Sequence, residues 1–303
     1  MTQTVNGMSF SEEDGFVHAD FDGDFDCISS APGGGCLRKV SRISFGDYED
    51  CDLAIPCPRP GSVRSCLLEF GGTSVFAAAY SDMKSGMGRA AEASAAGEGM
   101  THVLVVLGCN TPDSGMLRAT VTATEAVTSV AQDLLLRSDD GLHQASGSVC
   151  QTITVVRNSG SPLMLHGTGK HSKLGELVGR AVRAAVTDSV RANSLSCHDA
   201  ADAMTLLGRY GYDSEEMFKL TDCMDLNAFA VSLDHVSMGK GTAAAVSAAL
   251  FIADEMEWGL IPEEDGRTVI AGILKEVFGY DGGAGEPVES IARALACRAS
   301  HRI

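Results

Sequence analysis

The stretch Thr101–Leu107 reads THVLVVL, a run of β-branched and aliphatic residues. Such a run is typical of a strand that is buried on both faces. A helix signal follows, in which Asp113 or Ser114 can cap a helix that extends to about Leu136. Residues 147–156, GSVCQTITVV, then predict a loop that enters a second strand. This strand–helix–strand order predicts a mixed sheet with packed helices.

The strongest helical signal comes after these elements. Ser172 begins a segment whose apolar residues recur at intervals of three and four up to Val190. Upstream, two strand-like runs, residues 63–70 and 73–79, flank a Gly-Gly pair and predict a hairpin. Residues 81–96 are rich in small side chains, and we expect a helix there.

After Asn193 strand signals are nearly absent. The helices predicted in this part cover residues 198–210, 214–225, 242–258, 265–278 and 287–298. A flexible glycine-rich linker is predicted before the last of them. We therefore expect the class α/β, or α+β, with a mixed sheet in residues 27–195 and a helical domain in residues 196–303.

Residues 1–26 contain seven acidic side chains and no Lys or Arg, which predicts a solvated, poorly ordered leader. Within it, residues 20–26 read DFDGDFD and imitate the start of a calcium-binding loop. Phe25 stands where such a loop needs Gly, and Ala31 stands where it needs a bidentate Glu. A solvated acidic run is therefore favoured over a weak cation site.

The charge of the 303-residue chain excludes several functions. With 23 Lys and Arg against 40 Asp and Glu, its net charge is −17, which disfavours binding to nucleic acid or to an anionic membrane. The longest apolar run, Ala243–Ala253, is about half of what a membrane span requires. The N-terminus has no signal-peptide pattern. We expect a cytoplasmic protein with neither nucleic-acid nor membrane partners.

Ten cysteines and two Gly-Lys pairs are candidates for site chemistry. No C-x-x-C pair occurs, so reduced thiols are favoured over a metal site among the first five cysteines. Cys109 and Cys150, each at the edge of a predicted strand, stay open as nucleophiles if a base lies beside them. Gly169-Lys170 and Gly239-Lys240 lack the spacing of a phosphate-binding loop.

One face of the predicted helix after Asp113 is polar. Its residues recur at intervals of four and three and are Arg118, Thr122, Glu125, Ser129 and Gln132. From the pattern alone, Glu125 is a solvated helix carboxylate or a general acid/base.

Five segments align in order with a known family. They are SSAPGGG at 29–35, GMTHVLVV at 99–106, LRATVTATEA at 117–126, ASGS at 145–148 and HSKLGELVGRAV at 171–182. Together they resemble the adenosylcobinamide amidohydrolases, enzymes of cobalamin salvage in archaea and bacteria, over about residues 29–195. The chain departs from the family pattern at Val127, where a Lys is usual, at Gln151, where an Asp is usual, and at His102, where an Asn is usual.

The resemblance implies hydrolysis of an amide. Adenosylcobinamide would lose its aminopropanol arm and become adenosylcobyric acid, and the reaction needs a base or nucleophile and donors for an oxyanion. The resemblance implies Glu125, Thr122 and His102 as catalytic residues. The implied substrate-binding residues are Ser30, Gly33, Gly34, Gly35, Thr124, Gly147, Ser148 and His171. The alternative for the glycines is turn formation.

The cobalt belongs to the corrinoid substrate, so the resemblance implies no protein metal and no cofactor. A noncatalytic corrinoid-binding or regulatory relative stays open, because Val127 and Gln151 replace polar residues of the pattern. An unrelated metal or redox protein that uses its cysteines also stays open. The C-terminal helices are a candidate surface for a homo-oligomer.

Overall fold

Thirteen strands and eight α-helices are defined in a computed structural model that describes residues 3–83, 87–90, 98–134, 136, 138, 144–193, 202–208, 210–282 and 285–301. The strands are β1 (Gln3–Val5), β2 (Met8–Glu13), β3 (Phe16–Phe21), β4 (Phe25–Ser29), β5 (Gly35–Lys39), β6 (Arg42–Phe45), β7 (Leu53–Ile55), β8 (Arg64–Phe70), β9 (Thr73–Asp82), β10 (Met87–Gly88), β11 (Met100–Leu107), β12 (Gly147–Ser148) and β13 (Cys150–Asn158). The helices are α1 (Asp113–Asp133), α2 (Lys173–Asn193), α3 (Ala203–Gly208), α4 (Ser214–Lys219), α5 (Leu226–Ser237), α6 (Lys240–Glu257), α7 (Glu263–Phe278) and α8 (Pro287–Ser300). The chain divides into two units, Met1–Cys197 and His198–Ile303.

The predicted buried strand lies within the central sheet of the first unit. That sheet has six strands in the order β5-β4-β13-β11-β9-β8. β11 pairs in parallel with β13, and α1 lies between them in the chain. β11 also pairs antiparallel with β9, which forms the predicted hairpin with β8. The sheet is therefore mixed, and the α/β class is confirmed.

Two helices cover one face of this sheet. Alternate residues of β9, β11 and β13, such as Ala77, Val105 and Val155, are fully buried against the apolar faces of α1 and α2. The predicted helix starting at Ser172 is confirmed as α2. α1 is confirmed as well, although it ends at Asp133, three residues before the expected Leu136.

The other face of the central sheet packs against a second sheet. This sheet has five strands in the order β1-β2-β3-β6-β7. A continuous apolar cluster joins the two sheets, and in it the rings of Phe10 and Phe76 have centroids 4.8 Å apart. The first unit therefore has three layers: helices, the six-stranded sheet and the five-stranded sheet.

The expectation of a solvated leader in residues 1–26 is wrong for the described part of that segment. Met8, Val17 and Ala19 alternate with polar residues along β2 and β3 and are buried between the sheets. The carboxylates of Asp20, Asp24 and Asp26 pair with Arg42, Lys39 and Arg157, respectively. These cations come from later parts of the chain. The composition of residues 1–26 alone therefore did not indicate that their carboxylates are paired.

A second expectation also fails. Part of the helix predicted over residues 81–96 is strand, because β9 continues to Asp82 and β10 covers Met87–Gly88. The pairing of β9 with β11 provides ladder partners that the local propensity does not reveal. Residues 84–86 and 91–96 of this prediction lie outside the described residues.

The described part of the second unit is helical. Helices α3, α4, α6, α7 and α8 fall within the predicted segments or overlap them. α5 was not predicted; Asp225 caps it by accepting hydrogen bonds from the amides of Asn227 and Ala228, an N-cap signal present in the sequence. Among the described residues, a bent pair formed by Leu226–Ser237 and Gly241–Glu257 meets the length and composition of a membrane span, whereas no single helix does.

Candidate active site

A pocket of about 540 Å³ opens in the first unit between α1 and the segment that leads into α2. Four of its residues come from one face of α1, and four come from consecutive positions before α2. The lining residues are Arg118, Val121, Thr122, Glu125, Gly169, Lys170, His171 and Ser172. We call this cavity the α1–α2 pocket. It combines three of the predicted site residues, Thr122, Glu125 and His171.

Glu125 and Lys170 form an ion pair in the α1–α2 pocket. Lys170 Nζ lies 2.9 Å from Glu125 Oε1, and the side chains are 61% and 46% exposed, respectively. An exposed pair contributes little to stability, because water competes with each partner. Its charges are instead accessible to a ligand that enters the pocket. Glu125 is thus a solvent-accessible carboxylate with an ammonium group beside it.

Thr122 is buried beneath the pocket, and its hydroxyl already has partners. Thr122 Oγ1 lies 3.0 Å from the carbonyl of Thr168 and 3.2 Å from the carbonyl of Arg118, and it can donate to either. Thr168 Oγ1 in turn donates to the carbonyl of Gly115 at 2.6 Å. These bonds fasten the segment before Lys170 to α1. The geometry therefore gives Thr122 a positioning role.

The segment from Gly169 to Gly175 closes tightly on itself. Ser172 Oγ accepts a hydrogen bond from the amide of Gly175 at 3.1 Å and lies 2.8 Å from the carbonyls of Gly167 and Gly169. Ser172 is therefore the N-cap of α2 and not a free nucleophile. A Cβ on Gly175 would lie 2.0 Å from the carbonyl oxygen of Gly169, so only glycine fits there. His171, next to the cap, is exposed.

His102 lies far from solvent. Its side chain is fully buried on the face of the central sheet that carries Leu104 and Val106, whereas α1 and α2 cover the other face. His102 Nδ1 lies 2.8 Å from Thr152 Oγ1, and its Nε2 has no hydrogen-bond partner among the described residues. Burial lowers the pKa of His102 to about 4, so it is neutral at pH 7. A substrate in the α1–α2 pocket cannot reach it, and the catalytic role predicted for His102 does not fit this position.

The loop at Gly147-Ser148 belongs to a second polar cluster. Ser148 Oγ lies 2.6 Å from Thr101 Oγ1, which lies 2.9 Å from Ser81 Oγ. We call these three residues the buried hydroxyl cluster, since each is less than a tenth exposed. A Cβ on Gly147 would lie 2.2 Å from Gln151 Oε1, so this glycine allows a close approach. Neither Gly147 nor Ser148 lines the α1–α2 pocket.

The early glycine loop forms the turn between β4 and β5. Ser30 Oγ accepts a hydrogen bond from the amide of Ile153 at 2.9 Å, which ties the loop to β13. Gly33 and Gly35 have φ angles of +75° and +118°, values that L side chains avoid. A Cβ on Gly34 would lie 2.6 Å from the carbonyl oxygen of Ser29. These glycines serve the turn, and the structure does not bring them to the α1–α2 pocket.

Three further candidates are also outside the pocket. Thr124 is exposed on α1, and its hydroxyl donates to the carbonyl of Thr120 at 2.9 Å. Cys109 is fully buried, and burial raises the pKa of its thiol, which opposes a thiolate nucleophile. Cys150 is exposed at the start of β13. Among the residues that the structure describes, no group of three or more His, Cys, Asp or Glu is placed to hold a metal.

Sequence reasoning did not select two charged residues of the α1–α2 pocket. Arg118 lies on the same polar stripe as Thr122 and Glu125, and that spacing was the available signal. In the sequence, Lys170 stands out only as part of a Gly-Lys pair, and that pair lacks the spacing of a phosphate-binding loop. Its proximity to Glu125, 45 positions earlier in the chain, follows from the packing of α1 against α2.

Comparisons with known proteins find a family match over part of the chain. Residues 63–198 match the adenosylcobinamide amidohydrolase (CbiZ) family, which confirms the resemblance over these residues. The early loop at 29–35 lies outside the match, so its assignment stays a prediction. The chain is also 34% identical over 93 residues to an uncharacterized protein of Methanocaldococcus jannaschii. That alignment covers 30% of this chain and 36% of the relative, so it spans about a third of either protein.

Proposed function

Because residues 63–198 match a family of adenosylcobinamide amidohydrolases, we propose that this chain hydrolyses the aminopropanol amide of adenosylcobinamide to give adenosylcobyric acid. The observation that carries the proposal is the α1–α2 pocket, which lies within the matched segment and combines Glu125, Lys170 and His171. A carboxylate, an ammonium and an imidazole around one open cavity supply the acid–base groups that amide hydrolysis requires.

In this mechanism Glu125 acts as the general base. It takes a proton from water, and the resulting hydroxide adds to the carbonyl carbon of the amide. The proton then passes to the amide nitrogen as the C–N bond breaks, so aminopropanol leaves as a neutral amine. Lys170, whose Nζ lies 2.9 Å from Glu125 Oε1, orients the carboxylate that accepts the proton. His171 offers a second path for protons at the pocket wall.

The size of the pocket indicates how the substrate binds. A volume of about 540 Å³ is within the range of small-ligand sites but is too small to enclose a corrin ring with its side chains. The amide arm therefore enters the pocket while the ring stays outside. Val121 lines the pocket, and Leu117 lies one turn before it on α1. The two side chains are 51% and 63% exposed and offer apolar surface on the same helix as the pocket. We assign these two residues to contact with the edge of the ring.

The departures from the family pattern bear on the alternative of a noncatalytic corrinoid-binding relative. Val127 is fully buried in the core under α1, and Gln151 lies beside Gly147. Neither residue lines the α1–α2 pocket. The replaced positions thus leave Glu125, Lys170 and His171 in place, which favours the hydrolase.

The test is turnover by the purified protein. Adenosylcobinamide is incubated with the wild type, and adenosylcobyric acid is detected by mass. We expect product with the wild type and a loss of about 10²–10⁴-fold in kcat for Glu125→Gln, because a base contributes rate factors of this size. Glu176→Gln is the matched control, since Glu176 is an exposed, ion-paired carboxylate of α2 outside the pocket.

Two results would contradict parts of the proposal. Full activity of Glu125→Gln would refute the assignment of the base. Retention of a coloured corrinoid by the wild type without turnover would favour the noncatalytic relative.

A further inference from the structure

Arg118 is a cation for which the described residues provide no partner, in a pocket that already contains an ion pair. Its side chain is exposed and lines the α1–α2 pocket, and no hydrogen bond or ion pair engages its guanidinium among the described residues. Its stem passes over Gly169, because a Cβ on that glycine would lie 3.5 Å from both Cγ and Cδ of Arg118. The guanidinium is thus held near the segment that carries Lys170 while its donors stay free.

The charges around the pocket do not cancel. The pocket has one carboxylate, Glu125, and this group is matched by Lys170. Arg118 adds a positive charge that no acidic residue of the lining offsets. Elsewhere in the first unit the pattern differs: Arg157 pairs with both Asp26 and Asp113. In a chain of net charge −17, a free guanidinium beside a neutralised pair leaves room for an anionic group of a ligand.

Amide hydrolysis creates such an anion. The neutral carbonyl oxygen becomes an oxyanion when hydroxide adds to the carbon, and the products at neutral pH are a carboxylate and a protonated amine. A guanidinium binds two oxygens of a carboxylate through parallel N–H donors. Lys170 is engaged by Glu125 in the free protein, whereas Arg118 is not.

From this arrangement we propose that Arg118 binds the oxygen on which charge develops, first as the oxyanion and then as the carboxylate of the corrinoid product. This inference rests on the proposed function. It makes Arg118 a catalytic residue that discriminates between the charged product and the neutral amide. Two consequences follow: Arg118 affects kcat more than KM, and the acid binds more tightly than the amide because of it.

The experiment compares Arg118→Gln and Arg118→Lys with the matched control Arg180→Gln. Arg180 is an exposed arginine of α2 that pairs with Glu176 outside the pocket. Two readouts are taken: steady-state kinetics with adenosylcobinamide, and equilibrium binding of adenosylcobinamide and of adenosylcobyric acid followed by corrinoid absorbance. Thermal unfolding of each variant checks that the fold is retained.

We expect Arg118→Gln to lower kcat by about 10²-fold, as loss of one oxyanion donor does, with KM changed less than about threefold. Its affinity for the acid falls at least about tenfold while its affinity for the amide is nearly unchanged, since only the acid is charged. Arg118→Lys keeps part of the kcat and part of the affinity for the acid, and Arg180→Gln behaves as the wild type. Equal losses for acid and amide, or an unchanged kcat, would overturn the inference.

The binding readout separates this inference from the proposed function. A wild type that forms no product refutes the hydrolase. In that case, tighter binding of the acid than of the amide, abolished by Arg118→Gln, would still support Arg118 as a carboxylate-binding residue. A wild type that binds both corrinoids equally would refute it.

Discussion

The α1–α2 pocket and the buried hydroxyl cluster both contain residues that the sequence pointed to, yet they differ in charge and in access to solvent. The pocket has Arg118, Glu125 and Lys170, each more than a third exposed. The hydroxyl cluster is closed and uncharged, and its groups bond to one another. Groups that must exchange protons with a substrate need access and unsatisfied bonding capacity. A polar residue in a matched motif can therefore act on the substrate or stabilise the fold. The exposure of its side chain distinguishes the two roles.

The largest loss of stability and turnover is expected where the segment that carries Lys170 packs against the start of α2. Gly175→Ala would place a Cβ 2.0 Å from the carbonyl oxygen of Gly169, so either α2 or the segment carrying Lys170 must move. We expect a loss of about 3 kcal/mol in the unfolding free energy of the first unit, together with a large loss of turnover. Gly179→Ala, in the same helix, has nothing within 4 Å of the new Cβ and should be neutral or stabilising by up to about 1 kcal/mol.

The readout for these two variants must report the first unit. The single tryptophan, Trp258, lies in the second unit, so its fluorescence does not serve. Hydrogen exchange of peptides from β11 measures opening of the central sheet. Wild-type protection and turnover in Gly175→Ala would contradict the close approach of the two glycines.

His102 is expected to change the free energy of unfolding by a similar amount, and this change depends on pH. Its pKa is about 4 in the folded protein and 6.5 for the free side chain, so the unfolded chain binds the proton more readily. The free energy of unfolding that depends on a neutral His102 is therefore fully present above pH 6.5. It is lost as the pH falls from 6.5 towards 4. The loss is on the order of 3 kcal/mol.

His102→Asn isolates this contribution. Urea unfolding of wild type and variant is measured at pH 7.5 and at pH 4.5, with hydrogen exchange in β11 as the readout. We expect the stability of the wild type to fall more on acidification than that of the variant, because other titrating groups are common to both. Equal changes would show that His102 does not titrate in this way.

A smaller effect is expected at the base of the pocket. Thr122→Val removes the hydrogen bonds to the carbonyls of Thr168 and Arg118, and about 1–2 kcal/mol of stability should be lost. Turnover should fall several-fold, since the segment with Lys170 is held less firmly. Thr124→Val is the control, because Thr124 is exposed and bonds only within its own helix, to the carbonyl of Thr120. Identical behaviour of the two variants would contradict the positioning role of Thr122.

The smallest effect on stability is expected for the ion pair. Lys170→Gln removes an exposed partner of Glu125 and should change the unfolding free energy by less than about 1 kcal/mol. Its kcat should nevertheless fall about tenfold, because the base loses the ammonium group that orients it. A loss of stability in Lys170→Gln with an unchanged kcat would show that Lys170 stabilises the fold and does not act in the reaction.

Much of the fold could be predicted from local patterns. The apolar run of β11, the Gly-Gly hairpin of β8 and β9, and the period of α2 each satisfy their requirements within a short segment. The β2–β3 hairpin was missed because its alternating apolar residues lie in a segment that has seven acidic side chains and no Lys or Arg. One of those acids, Asp20 of β3, meets its cation, Arg42, only after folding.

The candidate site was predictable only in part. The spacing of Arg118, Thr122 and Glu125 places them on one face of α1, since a helix repeats every 3.6 residues. Nothing in that spacing distinguishes a buried Thr122 from an exposed Glu125, because the burial of each depends on the neighbour of the helix. His102 and Ser148, which lie in equally recognisable motifs, proved to be internal.

The sequence by itself therefore determined the strand–helix–strand core, the helical character of the C-terminal unit and the family match of residues 63–198. Only the tertiary structure decided that Lys170 pairs with Glu125, that Arg118 has no ion-pair partner among the described residues and that His102 is buried away from solvent. The physical reason is range. Periodicity and propensity act over a few residues, whereas access to solvent and ion pairing are set by segments that meet only when the chain packs.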